Sequence, residues 1–198
     1  MRIRYAIVDS SLGRLLVAAT PRGVCAVAMG ASDGELERAL ARQYPAALIA
    51  RDEGSLARWT HRILAHVSGK RLRLDLPLDV QATAFQRQVW QALGTIPYGE
   101  TRTYGEIAAA IGRPRAHRAV ARACATNPVA VAIPCHRVVA VGGNLSGYRW
   151  GINRKRTLLS SEARHLRSSR LDCRKLTPKY RSYSHCHGSV STAIAAGP

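Results

Sequence analysis

The apolar pattern of this chain changes period at Pro77, which restricts the fold to a small sheet-bearing unit followed by a mainly helical one. Ahead of that proline, three runs, RIRYAIV, RLLVAA and VCAVAM, are separated by the turn clusters DSSLG and TPRG, and an antiparallel meander is predicted. The segment DGELERALARQY has helical spacing, acidic residues in its first turn and a stop at Pro45. In GSLARWTHRILAHVSG the residues Leu56, Trp59, Ile63 and Val67 recur at steps of three or four, so a second amphipathic helix is predicted, with His61 and His66 on its surface. The strict alternation of RLRLDL, residues 71–76, predicts a half-buried strand. Residues 1–78 thus read as an α/β unit without a catalytic constellation.

Beyond Pro77 the signals are helical. Thr83 and Gln86 fit a capping box, in which two side chains satisfy two orphan N–H groups, and Phe85, Val89 and Leu93 form the apolar stripe behind it. Thr103 and Glu106 offer a second box for a helix that should end near Gly112, and HRAVARACATN makes the next helix. Two short helices about a short turn predict a helix-turn-helix. On the second helix, Arg118 and Arg122 alternate with Ala119, Ala121 and Ala123, and Arg115 stands just before it. Small side chains admit a close groove while arginines reach phosphates, but alanine is also the best helix former, so an ordinary core helix is the competing reading.

Charge favours a polyanionic partner. The formal net charge is +18, and residues 81–163 carry 11 Lys/Arg against 3 Asp/Glu. No apolar run approaches the roughly 20 residues of a membrane span. The opening lacks the basic, apolar and small-residue order of a signal peptide, so a soluble cytoplasmic protein is expected. Five cysteines, at 25, 124, 135, 173 and 186, show no paired spacing and read as free thiols in a reducing compartment.

The chemistry is concentrated in NPVAVAIPCHRVVA. A buried apolar run ends in Pro134 and presents Cys135, His136 and Arg137 in succession. A thiol is a weak nucleophile until ionised, and a neighbouring base favours the thiolate. A free cysteine that is simply one more small buried hydrophobe is the alternative.

Ile133-Pro134-Cys135-His136-Arg137-Val138 resembles the active-site signature of the O6-alkylguanine-DNA alkyltransferases. The likeness extends through FQRQVWQALGTIPYGETRTYGEIAAAIG, RAVARACATNP and GGNLSGYRWGINRKRTLL to Glu162, and its SGYRWG stretch is similar to the C-terminal half of the Ada-type proteins. It covers residues 81–163, and residues 1–78 fit the family's smaller N-terminal domain in kind. The fold implied is a ribonuclease H-like α/β domain followed by a winged helix-turn-helix domain.

The resemblance also implies roles. Cys135 is the alkyl acceptor, His136 takes its proton through a bridging water, Glu162 orients the imidazole, and Asn127 braces the cysteine turn. The partner is double-stranded DNA, entered from the minor groove with the alkylated base flipped out. Arg118 then fills the vacated stack, Tyr104 displaces the phosphate, and Tyr104 with Ser146 donates to the N3 and O6 of the departing guanine. Main-chain groups near Val138 face the base edge, and Arg115, Ala119 and Ala121 lie along the DNA-facing surface. The thioether product makes each molecule act once, as a monomer, with no metal or organic cofactor.

Two rivals remain at this level: a non-catalytic lesion binder of the alkyltransferase-like class, and a cysteine hydrolase built on Cys135 and His136. Arg122 departs from the small residue that the family tends to have there. The basic stretch 164–198 matches nothing in the family and, mixing Arg, Ser, Gly and Pro without apolar period, is expected to be disordered. Its His185-Cys186-His187 run is a poor metal site, because three adjacent residues cannot easily face one ion.

Overall fold

The computed structural model describes the backbone of residues 1–175 and the side chains of residues 1–165; most of the 164–198 segment, with its His-Cys-His run, lies outside the described residues. Three strands, β1 (Arg2–Ser10), β2 (Gly13–Thr20) and β3 (Gly23–Gly30), form the antiparallel meander. A fourth, β4 (Leu48–Arg51), pairs parallel to β1 and gives the order β3-β2-β1-β4. Four residues with only one half-buried side chain carry too little alternation to announce that strand in the sequence. The parallel return is made by α1 (Asp33–Gln43), whose N-terminus is capped by the Ser32 hydroxyl accepting from Glu35 N.

Both sheet faces are covered, which is why β2 and β3 read as continuous apolar runs. Leu16, Ala18 and Ala26 pack beneath Leu36 and Leu40 of α1. The opposite face, with Leu15, Val17, Val24, Val27 and Met29, shares one core with Ile63 and Val67 of α2 (Glu53–Val67) and with the helical half of the chain. Each such fully buried side chain contributes about 1.5–3 kcal/mol.

Two expectations for this half are corrected. The segment 71–76 is not a strand. Its partner contact comes just after it, where Val24 N donates to Pro77 O at 2.8 Å and Asp79 N to Val24 O at 2.9 Å, and Leu72 remains 44% exposed. Alternation alone supplied no edge for residues 71–76 to pair with. His66 is not on the surface but 4% exposed, with Nδ1 2.7 Å from Arg71 O and its ring edge-on to Tyr98. It stands where α2 meets the second half, so the apolar stripe of α2 is wider than its aliphatic residues indicate. His61 is exposed, as expected.

The helical half contains α3 (Ala84–Gly94), α4 (Tyr104–Ala110), α5 (His117–Ala125) and α6 (Ile152–Lys175). A two-stranded parallel wing joins β5 (Arg102–Thr103) to β6 (Val138–Val139). Both capping boxes form. Helix α4 ends as its glycine predicts: Gly112 sits at φ +73°, its N–H donates to Ala109 O, and Arg113 N reaches Ala108 O, a Schellman closure before Pro114. Helix α6 runs past residue 163, so the disorder expected from residue 164 does not begin there: residues 164–175 continue an established helix.

Candidate active site

The halves meet at the segment that carries the cysteine. Val27 N donates to Pro128 O and Ala130 N to Val27 O, which lays residues 128–130 along β3 as an extra rung. Val131 then takes a left-handed φ of +67°, strained for a β-branched residue, and Ile133 N closes back on Val129 O at 3.1 Å. Pro134 (φ −80°, ψ 57°) makes an inverse γ-turn, with Cys135 N donating to Ile133 O at 2.8 Å, and a 3-10 turn follows over Cys135–Arg137.

Asn127 holds this turn from inside. Fully buried, it donates Nδ2 to Ile133 O at 2.9 Å and to Cys135 Sγ at 3.2 Å, while its Oδ1 accepts from Val129 N. Cys135 is 4% exposed and lies in the wall of a cavity of about 400 Å³ with Tyr104, Ala121, Cys124, Ser146 and Tyr148. Burial pushes the thiol up to about 11, against the pull of the Asn127 N–H and the Lys155 charge. The thiol therefore needs a proton acceptor to react near neutral pH. A larger hollow of about 690 Å³ lies on the far side of the turn, beside His66, Tyr98, Pro134 and Arg137, and no thiol lines it.

Behind the cysteine lies a buried charge cluster. His136 Nε2 is 2.9 Å from Glu162 Oε1, and neither side chain is more than 3% exposed. Burial lowers the pKa of His136 below that of a free imidazole, with Glu162 opposing, so the ring is neutral at pH 7 and able to accept a proton. Its Nδ1 is buried and has no hydrogen-bond partner among the described residues. Burial raises Glu162, but hydrogen bonds from His136 and Arg137 overcome it and hold the carboxyl down at about 2. Glu162 also accepts from Arg137 Nε at 3.0 Å, Arg137 Nη2 at 3.0 Å and Gly99 N at 2.9 Å. It thus does more than the single contact to His136 that sequence reasoning assigned to it.

Arg137 and Lys155 are the site residues that sequence reasoning passed over. Arg137 is 6% exposed, gives Nη1 to Ile96 O and lies over the Tyr98 ring. Lys155 is completely buried and donates to both Val138 O and Leu145 O at 2.5 Å, tying β6 to the 141–147 loop. Lys155, Leu158 and Glu162 share one face of α6, a pattern that hydrophobic periodicity reads as solvent-exposed.

The remaining candidates fall on the open side. Tyr104 OH and Ser146 Oγ are 3.1 Å apart, with Ser146 held at φ +45° next to the turn of Gly142 and Gly143. On α5, Ala121 is half-buried at the cavity, whereas Ala119, Arg118 and Arg122 are exposed, as is Arg115 in the preceding turn. None of these three arginine side chains is hydrogen-bonded or ion-paired to a described residue. Val138 is buried, with its carbonyl held by Lys155. Among the described residues no group of His, Cys, Asp and Glu is placed to hold a metal ion, and no helix is long and apolar enough to cross a membrane.

Residues 3–80 match the family model for the 6-O-methylguanine DNA methyltransferase ribonuclease-like domain, and residues 84–164 the model for the DNA binding domain of the same family. The chain is 50% identical over 163 residues to the bifunctional transcriptional activator/DNA repair enzyme Ada of Escherichia coli, covering 82% of this chain and 46% of that protein. It thus spans about half the length of its Ada relatives. A methylated-DNA--protein-cysteine methyltransferase of Mycolicibacterium paratuberculosis is 42% identical, with 82% of this chain and 94% of that one covered. The crystal structure of Mycobacterium tuberculosis OGT in complex with DNA superposes with a TM-score of 0.71 at 39% identity, over 82% of this chain and 94% of the other. With both halves matched, and the cysteine turn, its asparagine brace and the His-Glu pair joined in one buried site, the chain belongs to the 6-O-methylguanine DNA methyltransferase family.

Proposed function

We propose that this protein repairs DNA by transferring an alkyl group, methyl in the simplest case, from O6 of guanine to the sulfur of Cys135. The observation that carries this reading is a buried cysteine in a cavity wall, braced by Asn127, next in sequence to an imidazole paired with a buried carboxylate. Division into an α/β domain, 1–78, and a DNA-binding and transfer domain, 81–163, is part of it.

In this mechanism the Cys135 proton passes to His136 Nδ1 through one water, because side chains adjacent in sequence seldom meet directly. Glu162 stabilises the imidazolium that forms. Sulfur attacks the alkyl carbon, the S–C bond forms as the C–O6 bond breaks, and the electron pair leaves with guanine. Tyr104 and Ser146 donate to the N3 and O6 of the departing base, where charge develops. The exchange is redox-neutral and its thioether product resists hydrolysis, so the chemistry calls for no cofactor and each chain reacts once.

The thiol is buried, so the base must leave the duplex to reach it. Helix α5 presents its small residues to the minor groove, Arg118 occupies the gap, and Arg115 contacts phosphate. O4-alkylthymine is a second candidate substrate. The experiment is intact-mass and peptide analysis after mixing the full chain with a duplex that contains O6-methylguanine. One methyl group on Cys135 is expected; binding without an adduct would identify a lesion binder instead.

A further inference from the structure

The wall of the cavity that holds Cys135 carries one charged residue, Arg149, on the loop leading into α6. The rest of the lining is uncharged near neutral pH, burial pushing the thiol of Cys135 up to about 11 and that of Cys124 up to about 12. The Arg149 guanidinium lies over the Trp150 ring, 5.4 Å from its centroid, which holds it against the rim. Its tip turns inward: Nη1 donates to Asn127 O at 3.4 Å, and Nδ2 of the same asparagine donates to Cys135 Sγ at 3.2 Å. The Arg149 charge is also among the influences that lower the Cys135 thiol, as a cation near the sulfur does. Its one long bond leaves the other N–H groups of the guanidinium without an acceptor among the described residues. Lys155, whose charge also reaches the sulfur, is committed to Val138 O and Leu145 O and does not line the cavity.

We propose that Arg149 is a specificity-determining residue that favours O6-alkyl groups ending in a carboxylate, carboxymethyl being the shortest, over neutral groups of the same size. The proposal rests on transfer to Cys135 as described above. The carbon under attack must touch Sγ, and a carboxymethyl group carries its charge on the next carbon, so the charge enters the cavity with it. An anion moved from water into an apolar wall loses hydration that only a cation or hydrogen bonds restore. A guanidinium offers a carboxylate two parallel N–H bonds, and Arg149 has donors to spare. A neutral group of the same shape gains nothing from that charge. The transfer step is otherwise the same: the S–C bond forms, the C–O6 bond breaks with its electron pair leaving on guanine, the Cys135 proton passes to His136, and the carboxylate stays ionised throughout.

The test measures single-turnover transfer by the full wild-type chain, Arg149→Met and Arg149→Lys on duplexes carrying O6-methylguanine, O6-carboxymethylguanine or its neutral isostere O6-carbamoylmethylguanine, with the adduct on Cys135 read by intact mass. The quantity compared between proteins is the ratio of the carboxymethyl to the carbamoylmethyl rate, which cancels any effect of Arg149 on the thiol or on DNA binding. Loss of one charge-assisted contact predicts that this ratio falls about 10-fold in Arg149→Met. Methyl and carbamoylmethyl transfer should change by a common factor. Arg149→Lys keeps a cation in the loop without the planar fork and should hold an intermediate ratio. All three substrates slowed equally by Arg149→Met would make Arg149 a phosphate contact and overturn the proposal. It is overturned equally if lysine lowers the ratio as far as methionine does, or if wild type takes methyl but leaves carboxymethyl in place. If wild type takes no group from any of the three, the proposed function itself fails, a result distinct from these.

Discussion

Cys135 and Glu162 illustrate how far single residues were legible. The cysteine is marked by its sequence neighbours, and the structure adds why it can be removed cleanly: Asn127 keeps Ile133 O and Val129 N as partners when the sulfur is gone. Cys135→Ala should therefore abolish methyl uptake and retain binding to lesion-containing DNA, measured by intact mass and by gel shift. Uptake that persists in this variant would move the acceptor to another thiol, with Cys124 in the same cavity wall the first to examine. Glu162 is named in the sequence only by the family resemblance, as the partner of His136, because its partners His136, Arg137 and Gly99 lie far off in sequence and charged residues carry no apolar signal. Its substitution thus has two consequences. Glu162→Gln takes away the carboxylate that raises His136, so the limb of the rate profile in which protonated imidazole blocks transfer should move to lower pH, with a slower plateau. It also strands the buried Arg137 guanidinium, a loss on the order of 3–5 kcal/mol in urea unfolding. Arg137→Met should reproduce much of the stability change without the weaker base. An unshifted pH profile in Glu162→Gln would take Glu162 out of the proton path.

At the scale of elements, local chemistry was the reliable guide and long-range pairing was not. Two capping boxes and one glycine fixed both ends of α4 and the start of α3, since those hydrogen bonds join residues three to five apart. β4, β5 and β6 were missed because each is two to four residues long and takes its partner from another part of the chain. Helix α6 escaped for a different reason: its buried face presents Lys155 and Glu162 where periodicity looks for leucines. Helix α5 is basic and small as its sequence indicates, and Arg118 within it and Arg115 just before it separate by position. Arg118 stands in its first turn, exposed and without a partner among the described residues. If it fills the stack left by the flipped base, Arg118→Ala should slow repair of duplex by more than it slows transfer from the free alkylated base, which needs no flipping. Lysine there should rescue only in part, lacking the planar stacking surface. Arg115→Ala should instead weaken binding to any duplex and flatten its salt dependence. Equal slowing of duplex and free base by Arg118→Ala would reduce Arg118 to a phosphate contact.

For the whole molecule, the N-terminal half is more than an adjacent unit, because the core is continuous from Leu15 and Val27 to Val120 and Leu158 and because β3 pairs directly with the segment leading to Cys135. Sequence periodicity showed the two halves and could not show that they share one interior, since each half's apolar residues already account for its own elements. The most informative residue at that junction is His66, packed from α2 against Tyr98, which in turn meets Arg137. Burial is the main cause of its pKa falling from 6.5 to about 4, outweighing its bond to Arg71 O. A histidine depressed in the folded state favours folding fully above its unfolded value. Between pH 6.5 and about 4 the unfolded chain binds a proton that the folded chain refuses, so stability declines as pH drops through that window. A shift of this size corresponds to a loss on the order of a few kcal/mol. Thermal melts from pH 7 to pH 4 should show wild type losing stability over this range and His66→Gln, neutral throughout, losing much less, although starting lower because glutamine fits the Tyr98 contact poorly. Glu162, held at about 2, adds its own decline only further down, from the ordinary carboxyl value of 4.5 toward 2, so the two groups are separable by pH. If His66→Gln melts with the same pH dependence as wild type between 6.5 and 4, the junction histidine is not what makes the two halves acid-sensitive.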